Sequence, residues 1–397
     1  MQKELIPINP AMLVWARETA GLSLRDAVMR AKITPSRSGK EVDYATPEHR
    51  LAEWEGGQET PTFSQLNALA KAYRRPLVTF FLAEPPTQFA PLTDYRNVPN
   101  HQDESPEFAA LKRRIFQLER ELHAIAKDEE AESLTFVGSC SIKDGLYAVV
   151  DAIRQTLGVE PVAEHSRSAD DIFRILREKA EMAGVYVVLM GGLGSYHSKV
   201  DPDEFRGIAI ADQFAPLIVI NSNDTKVAMP FTLAHELAHI FLGSSNVSNQ
   251  NAFELRYLHK SIEQFCNSVA AELLVPERLL RQAWDGQSSD LVGSVKRLAR
   301  IFCVSNEDIA SRLSDLGFIS EDDYEQLFVL YRNEWKRCKK KNKESAVGPN
   351  PNTLPRYNLG MKTLGTLRRA VDDGLITLQD AAYAINMSVA RFEKVVG

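Results

Sequence analysis

The segment FTLAHELAHIFLG sets His235 and His239 four residues apart, with Glu236 between them. On a helix that separation places both imidazoles about one turn apart on one face, where they can hold a single zinc ion. Zinc lowers the pKa of a bound water to about 7, and a neighbouring carboxylate can take that water's proton as it attacks a carbonyl. Glu236 is the candidate general base. Two unconnected surface histidines would satisfy the same spacing. Against that reading, both lie in an otherwise apolar, small-residue helix, where burial without a ligand is costly. Leu233, Leu237 and Ile240 supply the packing face on the other side.

Catalytic zinc takes three protein ligands and keeps one open position, so a third ligand must come from elsewhere. Downstream candidates are Glu254, His259, Glu263 and Glu272. The segment SIEQFCNSVAAELLVP reads as a helix from Ile262 to Leu274, stopped by Pro276. Glu263 and Glu272 are nine positions apart, about 180° around a helix, so only one of them can face the metal. Cys266, one turn from Glu263, is an alternative thiolate ligand. No oxyanion-stabilising side chain is assignable from sequence.

The elements that must position these groups are also legible. A helix is expected over Val227 to Leu242, preceded by paired strands over Phe205 to Ile210 and Pro216 to Asn221, with Asp212 to Ala215 as their connection. Val185 to Met190 reads as a further, buried strand. Amphipathic helices are expected over Tyr147 to Leu157, Ile172 to Ala183 and, longest, Phe108 to Lys127. The glycine-rich run Gly191 to Ser195 lacks the Lys-Ser/Thr ending of a phosphate loop and reads as a turn. The strand Pro216 to Asn221 is either a sheet edge that accepts an extended peptide or a buried central strand.

Residues 10 to 83 read as short helices: one ended by Gly21, one begun by Ser23, one over Pro47 to Trp54, then Phe63 to Tyr73 and Leu77 to Leu82. This pattern resembles the Cro/repressor (XRE) type of helix-turn-helix domain. It departs from that type in the polar stretch Thr34 to Tyr44 between the second and third helices, and in an acidic would-be recognition helix carrying Glu48, Glu53 and Glu55. Arg25, Arg30, Lys32, Arg37 and Lys40 against Asp26 alone make the second helix and its loop the candidate DNA-contacting surface; a solvated charged face is the alternative. The first 86 residues carry eleven basic and ten acidic side chains, so no broad field supports DNA binding.

Together, RGIAIADQFAPLIVIN, FTLAHELAHIFLG and EQFCNSVAAELLVP resemble the ImmA/IrrE metallopeptidases, often linked to helix-turn-helix domains; the resemblance covers residues 1 to about 320. It implies that the first glutamate of the later motif, Glu263, is the third zinc ligand. Phe265 and Cys266 stand where the family motif often has an acidic residue and an alanine. The resemblance further implies a zinc endopeptidase acting on a repressor or antitoxin-like protein in stress, mobile-element or toxin-antitoxin regulation. The rival reading is a DNA-binding regulator whose zinc helix cuts nothing.

Beyond this, Leu291 to Leu316 reads as helix, turn and helix, a packing module. Lys336 to Lys341 followed by SAVGPNPNTLP reads as a charged, Pro-rich linker, and residues 358 to 397 as two helices around Gly374 to Thr377, with Thr377 a helix cap. The fold class expected is therefore multidomain and mostly α, with an α+β zincin-like peptidase core and a helical helix-turn-helix domain at the N-terminus. The divisions are 1–86, 87–130 (connector and long helix), 131–286 (peptidase), 287–320 and 321–397, the last with its linker at about 335–355. A net charge of −6 excludes a global basic field. No apolar run is long enough to span a bilayer and the first residues do not read as a secretory signal, so a cytoplasmic location without membrane contact is expected. Four cysteines, no two closer than 35 residues, read as free thiols. Helix-turn-helix domains commonly pair, which makes a homodimer an open expectation.

Overall fold

The computed structural model describes residues 8–34, 46–73, 75, 77–84, 105–160, 168–193, 198–244, 252–285, 290–342 and 354–396, with the side chains of 252–260, 332, 334–342 and 354 left aside. The chain divides into two compact units, residues 1–91 with 99–114 and residues 92–98 with 115–397.

In the first unit, α1 (Pro10–Glu18), α2 (Leu24–Ala31), α3 (Pro47–Glu55) and α4 (Phe63–Tyr73) enclose a core of Leu13, Leu51, Trp54, Leu66, Tyr73 and Phe80. Each helix start has a chemical reason. The side chains of Asn9, Ser23 and Thr46 accept the first free backbone N–H groups of α1, α2 and α3. Arg17 on α1 forks onto Glu55 on α3 at 2.7 and 3.0 Å, so one of the acidic residues on the third helix is consumed internally. Helix α5 (Pro106–Asp128) begins in this unit and continues into the second.

The second unit is built around a three-stranded sheet in the order β1-β3-β2, from β1 (Tyr186–Leu189), β2 (Gly207–Ile210) and β3 (Leu217–Ile220). β1 runs parallel to β3 and β2 antiparallel to it, Tyr186 opposite Leu217 and Gly207 opposite Ile220. Every residue of β3 is buried, which is what an uninterrupted Leu-Ile-Val-Ile run requires of a strand covered on both faces. The strand 216–221 is thus central, and its reading as an edge is corrected: β1 and β2 take its two hydrogen-bonding sides, so it has none left for a peptide.

Helices α6 (Leu146–Leu157), α7 (Ala169–Ala183) and α8 (Met229–Leu242) pack with α9 (Ala252–Leu274), and α8 lies between α9 and strands β2 and β3. All but two residues of α8 are buried, the exceptions being Phe231 and Leu242. α9 starts ten residues earlier than its sequence suggests: Ser261 looks like a cap, but no glycine or proline interrupts Ala252 to Lys260. Gly243 closes α8 in the left-handed region at φ +61°, and a β-carbon there would lie 2.9 Å from the Gly138 Cα. That close approach lets Gly138 and Cys140 donate backbone hydrogen bonds to Ile240 and Phe241 at 3.0 Å each.

α10 (Glu277–Ala283), α11 (Leu291–Phe302) and α12 (Asn306–Asp315) follow, the last two joined through Cys303 in the left-handed region. α13 (Glu321–Asn342) carries the basic run expected to be a linker. Its sequence passes from Glu321, Asp322 and Asp323 to a lysine-rich end, the charge order a helix dipole favours. Over residues 358–397, where two helices were expected, stand three: α15 (Met361–Asp372), α16 (Leu378–Ala384) and α17 (Val389–Val396), preceded by α14 (Leu354–Leu359) at the end of the expected linker. Gly360 at φ +75° and Asn386 at φ +56° make the additional breaks, and Thr377 caps α16 as expected. α14 and α15 pack against β1. The buried Arg177 of α7 ties them there, donating to the carbonyls of Val187 on β1 and of Tyr357 and Asn358 on α14. The three described cysteines, 140, 266 and 303, are free thiols. Among the described residues no helix is long and apolar enough to cross a membrane.

A buried ion pair secures the rear of α9. Glu272 accepts from the Arg312 guanidinium and from the Glu277 N–H at 3.1 Å, while Arg312 also donates to the Val275 carbonyl at 3.3 Å. Removing one member strands the other charge away from water, so Glu272→Ala is expected to cost about 3–5 kcal/mol, with much of the loss recovered in Glu272→Met/Arg312→Met. Denaturant titrations followed by circular dichroism on wild type, Glu272→Ala and the double variant measure both values.

Candidate metal centre

α8 presents His235 and His239 from consecutive turns, and α9, packed along it, presents Glu263. The two Nε2 atoms are 3.0 Å apart. Glu263 Oε2 lies 3.3 Å from His235 Nε2, and Oε1 lies 3.0 Å from His239 Nε2. One ligand atom from each of the three residues falls within 4.8 Å of the others.

What fixes the two rings is a pair of contacts behind them. His235 Nδ1 is 2.9 Å from Asn267 Oδ1, a pure acceptor, so Nδ1 carries the proton and Nε2 a lone pair. His239 Nδ1 is 2.7 Å from Ser244 Oγ, whose own hydroxyl is directed at the His239 carbonyl at 3.4 Å, so this ring too is placed to donate from Nδ1. Both Nε2 lone pairs then face each other and a carboxylate. Glu263 Oε1 is buried close to His239 yet outside hydrogen-bonding geometry. Lone pairs pressed together in this way need a cation between them. Two imidazoles and one carboxylate are a donor set that zinc accepts in open, three-ligand sites, and the residues therefore fit the ion.

Without a metal, protons must do that work. Burial pushes the Glu263 carboxyl up, but hydrogen bonding and charge from both imidazoles outweigh it and hold it at about 2. Burial pushes His239 down, and its contacts with the Cys266 thiol and Glu263 outweigh that, raising it well above the usual imidazole value. Burial pushes the Cys266 thiol up, which favours the neutral thiol over the thiolate a ligand would have to be.

Glu236 is buried on α8 beside the two histidines and lies against β2. Gly207 makes room for it: a β-carbon at 207 would collide with Glu236 Oε1 and stand 2.7 Å from Thr232 Cγ2. Glu272 is turned away to Arg312, as the nine-residue offset from Glu263 requires. The side chains of Glu254 and His259 lie outside the described residues. Of the basic residues in the first unit, Arg25 and Arg30 are exposed on α2 and Lys32 is its exposed C-cap; Arg30 is bound to Glu107 at 3.0 Å. Arg37 and Lys40 lie outside the described residues. Sequence reasoning missed Asn267, Ser244 and Gly207. Asn267 sits one turn after Glu263 among apolar neighbours, a spacing that could have flagged it; nothing local marks the other two.

Residues 180–314 match the Peptidase_M78 family, the IrrE N-terminal-like domain. Over 97 residues the chain is 35% identical to the radiation response metalloprotease IrrE of Deinococcus radiodurans, a stretch covering 24% of this chain. The match spans 29% of that relative's length.

Two outcomes follow from the geometry. In metal-free protein the raised His239 keeps a proton that contributes stability below its ordinary range and is lost as pH rises through the raised value. The lowered Glu263 contributes above its ordinary range and is lost as pH falls toward about 2. Zinc binding at neutral pH is therefore expected to release about one proton per chain, read by calorimetry in buffers of different ionisation enthalpy. Asn267→Ala and Ser244→Ala are each expected to weaken metal binding by about 10–100-fold, measured by competition with a chromophoric chelator.

Proposed function

Residues 180–314 forming a domain of the ImmA/IrrE metallopeptidase type, we propose that the chain is a zinc-dependent endopeptidase. The convergence of His235, His239 and Glu263 in front of the buried Glu236 carries this reading. When bound, zinc would be held by those three residues and supply Lewis acidity toward water and a peptide carbonyl. Glu236 takes the proton of the attacking water at its carboxylate and returns it to the leaving amine. Its burial against the β2 backbone limits competing water and fixes its direction. A merely structural zinc site is closed by a fourth ligand and has no need of such a carboxylate. β2 is the edge of the sheet next to Glu236, so an extended segment paired there would pass the carboxylate.

The substrate in this reading is a repressor or antitoxin-like protein, and the first unit is a helix-turn-helix module for DNA. For the latter, the exposed Arg25 and Lys32 are the better-placed contacts, since Arg30 is engaged by Glu107.

The test compares wild type with Glu236→Gln by labelling new N-termini in a cell extract treated with each protein. New N-termini are expected with wild type, falling about 10²–10⁴-fold in rate with Glu236→Gln, while zinc content stays the same in both. Equal cleavage by the two proteins, or a zinc-loaded wild type that generates no new N-termini, would overturn the proposal.

A further inference from the structure

A second group of metal-type donors stands apart from the His235–His239–Glu263 cluster. Glu119 and His123 lie four residues apart on α5, and Asp212 faces them from the β2–β3 connection; one ligand atom from each falls within 4.8 Å of the others. The α-helical spacing is the one that brings His235 and His239 together, used here with a carboxylate and an imidazole.

Three observations point to a cation rather than a self-sufficient ion pair. Asp212 is already oriented: its Oδ1 accepts backbone N–H groups of Phe214 at 2.9 Å and Ala215 at 2.7 Å, which hold the carboxylate toward α5. His123 Nδ1 is 2.9 Å from both Asp212 oxygens, close to the carboxylate as a whole and not committed to one acceptor. Glu119, half-buried beside them, receives no hydrogen bond among the described residues.

Lys127, one turn beyond His123, puts its ammonium 3.4 Å from the centroid of the Phe214 ring, while the same ring meets His123 edge-on at 5.7 Å. Phe214 thus forms an apolar wall on one side of the cluster. The remaining side is partly open, since all three donor residues are of intermediate exposure, leaving coordination positions for water.

We propose that Glu119, His123 and Asp212 form a second divalent-cation site, suited to Mn2+ or Zn2+, that pins α5 to the β2–β3 connection. One imidazole with two carboxylates suits those ions better than Ca2+ or Mg2+, which prefer all-oxygen cages. The role is structural: the site fastens the turn leading into β3, against which α8 packs.

The test is metal stoichiometry on the full chain, measured by elemental analysis after equilibration with chelator-buffered Zn2+ and, separately, Mn2+. Wild type is expected to hold two ions, His235→Ala/His239→Ala one, His123→Ala one, and the combined variant none. Glu119→Gln and Asp212→Asn, which preserve side-chain size, should each abolish the same ion as His123→Ala. Circular dichroism checks folding of every variant, and the wild-type stoichiometry stands independently of them. A wild type holding one ion, or a count that His123→Ala and Asp212→Asn leave unchanged, overturns the proposal, including the case of ions bound loosely to exposed carboxylates. Loss of an ion in His123→Ala but not in His235→Ala/His239→Ala would instead overturn the reading of the first centre and leave this one standing.

Discussion

Two imidazole lone pairs and a carboxylate held within about 3 Å of one another, away from water, form an arrangement that no protein would keep without something positive at its centre. The rest of the second unit can be understood as the means of holding it. Helices relax apart when like groups are forced together, so α8 and α9 must be fixed independently of the centre. α8 is fixed by near-total burial against β2, β3, α6, α7 and α9. α9 is fixed by the Glu272–Arg312 pair and by the Arg154 donation to the Glu272 carbonyl at 3.2 Å. The ring orientations are then set by Asn267 and Ser244, each supported on one of those helices or its immediate end.

The same logic explains why small residues cluster where they do. At Gly207 the sheet comes so close to α8 that a methyl group would enter the space of the Glu236 carboxylate. At Gly243 the helix ends against Gly138, which allows the chain to turn and bring Ser244 behind His239. Both glycines trade side-chain packing for close approach of backbone, one to admit the Glu236 carboxylate and the other to place the serine.

The sheet has unequal edges. β1 is covered by α14 and α15, held through the buried Arg177, whose burial lowers its pKa even with Glu181 beside it at 3.0 Å. β2 is the edge beside the centre. The C-terminal helices thus cover the β1 edge, while Glu236 lies against β2.

The sequence by itself determined the local facts: the helix bearing His235, Glu236 and His239, the three strands, the long α5, the cap at Thr377, and the mutual exclusion of Glu263 and Glu272. These follow from periodicity, spacing and turn residues, which act within a few positions along the chain. Resemblance, not spacing, selected Glu263, and only the packing of α9 on α8 brings its carboxylate to both imidazoles. Tertiary structure alone decided that 216–221 is the central strand, because strand order depends on which partners pair across the chain and a fully apolar run suits either place. It also decided that Glu55 and Glu272 serve internal ion pairs, and that Asn267, Gly207 and Asp212 stand where they do. Each of those is a relation between residues distant in sequence, and distance along the chain carries no record of which side chains a fold will press together.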